Sequence, residues 1–147
     1  MPLYEERQVL IVTSELLAAS ATSIGLAEAV QLPLCLLNSG MRGRQVLDRA
    51  LQSRALSVSP QLETDSVAAL YAHVATGRWA SIVPDPWTRT MPPPVGVRVL
   101  ELTDPVVHSP IGLVTASLDP GSVLTRALVA TAESLHLDEL FGLAIAD

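Results

Sequence analysis

Catalysis needs residues of complementary type held close together, and this chain offers few of them. His73, His108 and His136 are its imidazoles and Cys35 its lone thiol; none of their spacings matches a metal-ligand motif. His73 follows Ser66 by seven residues on one expected helix, about two turns along the same face, too far for a direct Ser–His bond. It reads as a surface or boundary histidine. Cys35 lies inside Leu34-Cys35-Leu36-Leu37, where a thiol behaves as a small buried hydrophobe. Ser39-Gly40-Met41-Arg42-Gly43 has the flavour of a phosphate loop but lacks the glycine spacing and the Lys-Ser/Thr ending. Asp85, Asp104 and Asp119 are separated by prolines and strand-like runs, with no cation-loop pattern; Asp104 and Asp119 suit turns and caps. No enzyme, cofactor or metal is expected.

Two helix starts remain as functional candidates: Asn38-Ser39-Gly40-Met41 and Glu63-Thr64-Asp65-Ser66. A helix N-terminus presents unsatisfied N–H donors and a partial positive charge, which attract a carboxylate or other small anion. In an open α/β sheet both would lie beyond strand C-terminal ends, where ligands bind. Ser39, Thr64 and Ser66 also suit as ordinary caps, and spacing alone leaves both readings open.

The elements that must position these turns follow from pattern. Gln8 to Thr13 is a short β-branched run and reads as a buried strand; Leu34 to Leu37 is a second. Ser14 to Ala21 is ambiguous between loop and helix. Ser23 suits the cap of a short helix through Val30, stopped near Pro33. Met41 to Arg54 is helical in spacing, with Val46, Leu47, Ala50 and Leu51 on one buried face. Ser57 to Glu63 reads as extended, Val67 to Thr76 as a helix, and Gly77 as its left-handed C-terminal residue. Trp79 to Val83 is a strand closed by Pro84. The β-α-β order implies a parallel sheet. Pro84 to Pro94, with five prolines, reads as a stiff surface loop. Val97 to Leu102 and Pro110 to Thr115 read as strands, and Asp119-Pro120 as the start of a helix running from about Gly121 to Leu135. The tail from Leu137 to Asp147 carries Leu140, Phe141, Leu143 and Ile145.

Composition bounds the partners. The chain has 147 residues, 49% hydrophobic and 3% aromatic, enough for one packed domain whose core is aliphatic, as in parallel α/β sheets. Net charge is −6, every basic residue is Arg, and the arginines are scattered. This gives no footprint for nucleic acid and reads as solvated surface charge. Glu5 and Glu6 precede the first apolar stretch, which argues against a secretory signal. No apolar run reaches the length of a membrane span. The expected compartment is the bacterial cytoplasm, with no membrane partner.

The order of these pieces resembles a known family. Leu3-Tyr4-Glu5-Glu6-Arg7-Gln8-Val9-Leu10 resembles the segment by which LysR-type transcriptional regulators pass from their first effector subdomain into the second. Leu32 to Leu37 and the helix Arg44-Gln45-Val46-Leu47-Asp48 look like the family's next strand and helix. Glu63-Thr64-Asp65-Ser66-Val67-Ala68-Ala69-Leu70, then His73-Val74-Ala75-Thr76-Gly77, resembles its most recognisable stretch, and Ser81-Ile82-Val83-Pro84 its strand ending in proline. The late strand Ile111 to Val114 and a helix after Asp119-Pro120 also match, so the resemblance runs from about Leu3 to Ala132.

That resemblance implies a type II periplasmic-binding-protein-like α/β fold, mainly parallel and flanked by helices, with a small effector between two subdomains. Residues 1–115 would be the second subdomain with its hinge strands, and 116–147 the helix and tail returning to the first. Ser39, Gly40, Met41, Thr64, Asp65 and Ser66 would border the effector, a carboxylate or similar anion, with Pro84 near the hinge. Trp79 stands where the family has a second glycine, and its indole is expected to alter packing and narrow the cleft. The helix-turn-helix region, through which alone DNA would be bound, is expected to lie outside this chain, as is the first part of the first subdomain. Leu124, Leu128, Phe141 and Leu143 would then leave an apolar patch that favours self-association. Two alternatives stand beside this reading. One is a solute-binding protein of the same fold, disfavoured by the lack of an export signal or lipidation cysteine; the other is a fragment acting only in self-association.

Overall fold

The computed structural model describes residues 1–115 and 122–141. The chain divides into two compact units: Gln8–Val107, and the segments Met1–Arg7 with His108–Asp147.

The larger unit is built on the apolar half of strand β1 (Pro2–Val12). Val9, Leu10, Ile11 and Val12 are all buried, because the strand has neighbours on both edges and packing on both faces. It pairs antiparallel with β5 (Ser81–Pro84), Gln8 opposite Pro84 and Ile11 opposite Ser81. On its other edge it pairs antiparallel with β6 (Arg98–Thr103), Leu10 opposite Leu100. The short β2 (Ser23–Gly25) joins β6 in parallel. Next comes β3 (Cys35–Leu37), parallel to β4 (Leu62–Thr64) with Leu37 opposite Thr64. A parallel bridge between Leu34 and Ala80 ties β3 to the strand entering β5. There Cys35 N–H donates to Ala80 O and Ala80 N–H to Pro33 O, both at 2.9 Å. The β-α-β units thus give the parallel pairs expected of them, while β1 adds an antiparallel spine and makes the sheet mixed.

Helices cover both faces. Helix α2 (Arg42–Ser53) buries Val46, Leu47 and Leu51 against Leu10, Leu34, Leu36 and Leu100. Helix α3 (Val67–Ala75) buries Leu70, Tyr71 and Val74 in a second cluster with Val9, Ile11, Cys35 and Leu37. Successive residues of β3 therefore serve opposite layers, which is the strand periodicity of two with both sides apolar. After α3, Gly77 takes φ +75°, the left-handed conformation that ends helices and that glycine adopts without a Cβ penalty.

Two local expectations differ from what forms. Ser23 does not cap a helix: Ser23–Gly25 is strand, because Ile24 fills the core while its carbonyl accepts from Thr103 Oγ1 at 3.2 Å. The helix α1 (Leu26–Ala29) starts only after Gly25. The proline-rich stretch is not all loop either, since Asp85–Thr90 forms α4. Pro84 takes the N-cap and Pro86 stands in the first turn, where a missing N–H costs nothing; Arg89 reaches back to Asp85 across one turn. The ambiguous stretch after β1 is a loop, clamped by Arg98. That guanidinium donates to the carbonyls of Leu17, Ala18, Ala19 and Ala21 at 2.9–3.1 Å.

In the smaller unit the polar half of β1 pairs antiparallel with β7 (His108–Gly112), Glu5 opposite Pro110. Helix α5 (Val123–Ser134) is capped by Ser122, whose Oγ accepts from Thr125 N–H at 3.0 Å. The Asp119-Pro120 start read from the sequence lies outside the described residues, as do Leu143 and Ile145. Helix α6 (Leu137–Phe141) brings Phe141 against Tyr4, ring centroids 5.6 Å apart. Val123, Leu124, Leu128 and Leu140 are exposed. No helix among the described residues is long and apolar enough to cross a membrane.

Candidate functional site

Parallel pairing sets β3, β4 and β5 side by side with their C-terminal ends along one edge, so Leu37, Thr64 and Pro84 end their strands there. From that edge the chain leaves β3 toward the layer of α2 and leaves β4 toward the opposite layer of α3. With the strand order β4-β3-β5 reversing at β3, this edge is a topological switch point, the place where open α/β sheets hold ligands. The turns at 38–41 and 64–66 are its two lips. They are stitched together by Asn38 N–H donating to Thr64 O at 2.9 Å.

The lips differ chemically. At the second, Ser66 is the N-cap of α3 and its Oγ accepts from Ala69 N–H at 3.2 Å. Thr64 Oγ1 accepts from Ser66 N–H at 3.1 Å. Both hydroxyl oxygens thus do the capping work that their sequence positions also allowed, and Asp65 is exposed between them. At the first lip the N-cap is Met41, extended at ψ 142° and making no side-chain cap bond. Ser39 and Gly40 stand exposed just before it, and Ser39 is too early to be the cap. Helix α2 therefore begins with first-turn N–H donors that its N-cap side chain does not satisfy. Met41 is half-buried against the α3-side cluster, and Pro84 is buried at the neighbouring strand end.

One buried neighbour of both turns escapes a sequence reading. Arg44, in the first turn of α2, is only 9% exposed. Its Nε donates to Asp48 Oδ1 at 2.8 Å, and one Nη donates both to Leu37 O at 3.0 Å and to Glu63 Oε1. Burial works against its charge, but Asp48 and Glu63 more than offset this and raise its pKa. The available signal was its place three and seven residues before Leu47 and Leu51, on the buried stripe of α2.

Other chemistry-bearing residues are placed as follows. Trp79 precedes β5, at the opposite end of that strand from Pro84, so its indole does not narrow the switch point. It meets His73 edge-on, ring centroids 5.5 Å apart. His108 lies near Glu5 in the other unit, Nδ1 to Oε2 3.9 Å. Cys35 is fully buried, which pushes its thiol pKa up. Among the described residues no three acidic, His or Cys groups gather as a metal site.

No curated protein sequence matches the chain. Solved structures do. The effector binding domain of QuiR in complex with shikimate matches with TM-score 0.71 at 17% identity, over 97% of this chain and 66% of that one. The regulatory domain of CcmR from Synechocystis PCC6803, in complex with 2-PG, gives 0.70 at 16%, over 92% and 65%. The reduced OxyR regulatory domain of Pseudomonas aeruginosa gives 0.70 at 20%, over 93% and 64%. The chain thus spans a little under two thirds of the CcmR and OxyR domains. Identities this low speak for the fold, which is the type II periplasmic-binding-protein-like α/β fold. The family model of the LysR substrate binding domain matches residues 1–135. With nearly the whole chain inside that match, the protein belongs to the LysR substrate binding domain family, whose members are effector-binding domains of transcription regulators and not enzymes.

Proposed function

We propose that this chain is the effector-sensing part of a cytoplasmic LysR-type regulator, and that the switch-point edge at the ends of β3 and β4 binds a small organic acid or similar anion. One observation carries the reading: α2 starts at the C-terminal edge of the parallel strands with no side-chain cap, while its partner α3 is capped by Ser66. First-turn N–H groups that no cap side chain occupies, with the positive end of the helix dipole, favour a carboxylate there. Ser39, Gly40 and Met41 form one lip and Thr64, Asp65 and Ser66 the other, with Pro84 at the adjoining strand end. The ligands in the QuiR and CcmR structures, shikimate and 2-PG, support a small-molecule effector.

An effector that favours one arrangement of the regulator shifts its population, and so the geometry of a DNA-binding region carried elsewhere in the protein. The exposed Leu124 and Leu128 on α5 support self-association as a further property of this chain.

A thermal-melt screen against shikimate, other small carboxylates, amino acids and inorganic anions at constant ionic strength tests the reading. A ligand that binds only the folded state raises the midpoint in a saturable, concentration-dependent way. The expected result is such a shift for one chemical class, reduced in Ser39→Ala, which leaves the helix caps untouched. No shift with any class would remove the proposal.

A further inference from the structure

We infer that Arg44 is the positioning residue of this site, fixing the two lips at their working separation; the inference rests on the function proposed above. Its guanidinium is planar and forked, so one side chain can hold several partners in fixed directions. Those partners come from three elements. Asp48 lies on its own helix, Leu37 O is the last carbonyl of β3, and Glu63 stands on β4 one residue before Thr64. Each lip thus leaves the sheet directly after a residue that Arg44 grips. The β3–β4 ladder, with Leu37 opposite Thr64, and the main-chain bond from Asn38 to Thr64 join the same two turns. With that grip the first-turn amides of α2 and the hydroxyls of the α3 lip are held at one spacing, beyond what the β3–β4 ladder alone imposes.

The charge of Arg44 is committed to this work. Two carboxylates share it, so it is neutralised internally, and the attraction for an anion comes from the α2 main chain. Lysine cannot substitute, because a single ammonium on a flexible stem does not span these acceptors in one geometry.

Arg98 supplies the matched control. It too binds several main-chain carbonyls, but of the 17–21 loop, which is not at the switch-point edge. Arg44→Lys and Arg98→Lys are to be compared by NMR amide exchange and by titration with shikimate as the probe. In Arg44→Lys the Asn38 amide is expected to exchange at least about tenfold faster and shikimate affinity to fall about tenfold, the equivalent of one charge-assisted hydrogen bond. The amides of Val9 to Val12 keep their protection. Arg98→Lys lowers the melting midpoint but leaves Asn38 exchange and shikimate affinity as in the parent. If Arg44→Lys fails to fold, Glu63→Gln, which keeps shape and removes only the charge, carries the same local signature at smaller size. Unchanged Asn38 exchange in both Arg44→Lys and Glu63→Gln, or the same effects from Arg98→Lys, overturns the inference. A parent protein that binds no probe defeats the proposed function instead, while the exchange comparison still decides the role of Arg44.

Discussion

Tyr71→Phe is a test of the packing beneath the switch point. Tyr71 sits on the inner face of α3, 5% exposed, in the cluster that contains Leu37 and Leu70. Its hydroxyl has no hydrogen-bond partner among the described residues. Burying a hydroxyl without a partner costs about 1–3 kcal/mol, and Phe preserves the ring and its contacts. The variant is therefore expected to be more stable by about 1 kcal/mol, raising the midpoint by roughly 2–4 °C for a domain of this size.

A pH dependence follows with a definite sign. Burial pushes the Tyr71 phenol above its ordinary pKa. The folded state then holds the proton longer than the unfolded state, so this contribution is intact below the unfolded value and is lost as pH rises through the folded one. Phe carries no such loss, so its advantage over Tyr widens above about pH 10. Cys35 and Tyr4 are shifted upward as well, but they are common to both proteins and cancel in the difference. Urea unfolding followed by circular dichroism, at neutral pH and near pH 10.5, measures both effects. A variant destabilised by about 1 kcal/mol or more at neutral pH would refute the reasoning, because the hydroxyl would then be making a favourable bond.

Ser66→Ala removes the cap of α3 and is expected to cost about 1 kcal/mol in denaturant unfolding, with Ser66→Asp recovering most of it. Gly77→Ala combines a left-handed backbone with a Cβ only 3.2 Å from Glu15 Cδ. A loss of roughly 1–2 kcal/mol is expected in the same assay. Leu128→Asp places a charge on the exposed apolar face of α5. Sedimentation velocity across a concentration series is expected to show association in the parent and a shift toward monomer in the variant; identical behaviour would dismiss that face as the contact.

The strand–turn–helix units were legible because their signals are local and redundant: apolar runs at Leu34–Leu37 and Ser81–Val83, cap residues at Thr64-Asp65-Ser66, and Gly77 after α3. What the sequence hid depended on tertiary partners. Ser23 has cap chemistry, yet the edge of β6 captures its backbone as strand. Pro84 and Pro86 look like helix breakers, and only their placement at the very start of α4 makes them harmless. Antiparallel pairing of β1 leaves no trace in an apolar run, since periodicity reports faces and not direction. At the site, both turns could be found by composition, but which of them lacks a cap could not. Met41 rather than Ser39 takes the N-cap of α2, with its backbone extended at ψ 142°. Arg98 looks like the other scattered arginines because its acceptors are main-chain carbonyls, which no side-chain pattern reveals; Arg44 was marked only by its place on the buried stripe of α2 and its spacing to Asp48, while Leu37 O and Glu63 reach it through the fold.

The two-sided burial of β3 also changes where its alignment is encoded. In a strand with one wet face, slipping by a single residue turns every apolar side chain toward water, and polarity alone forbids it. Leu34, Cys35, Leu36 and Leu37 are all dry, so a slip would exchange the layers without exposing anything. The frame must then be written in volume: Cys35 is the small member of an otherwise all-leucine quartet, and it occupies the side that also takes the Tyr71 ring. Shifting the strand by one would put a leucine into that space and a thiol where α2 expects a leucine. Close-packed interiors resist both errors. The one polarisable atom in a row of hydrocarbon thus serves as a spacing mark.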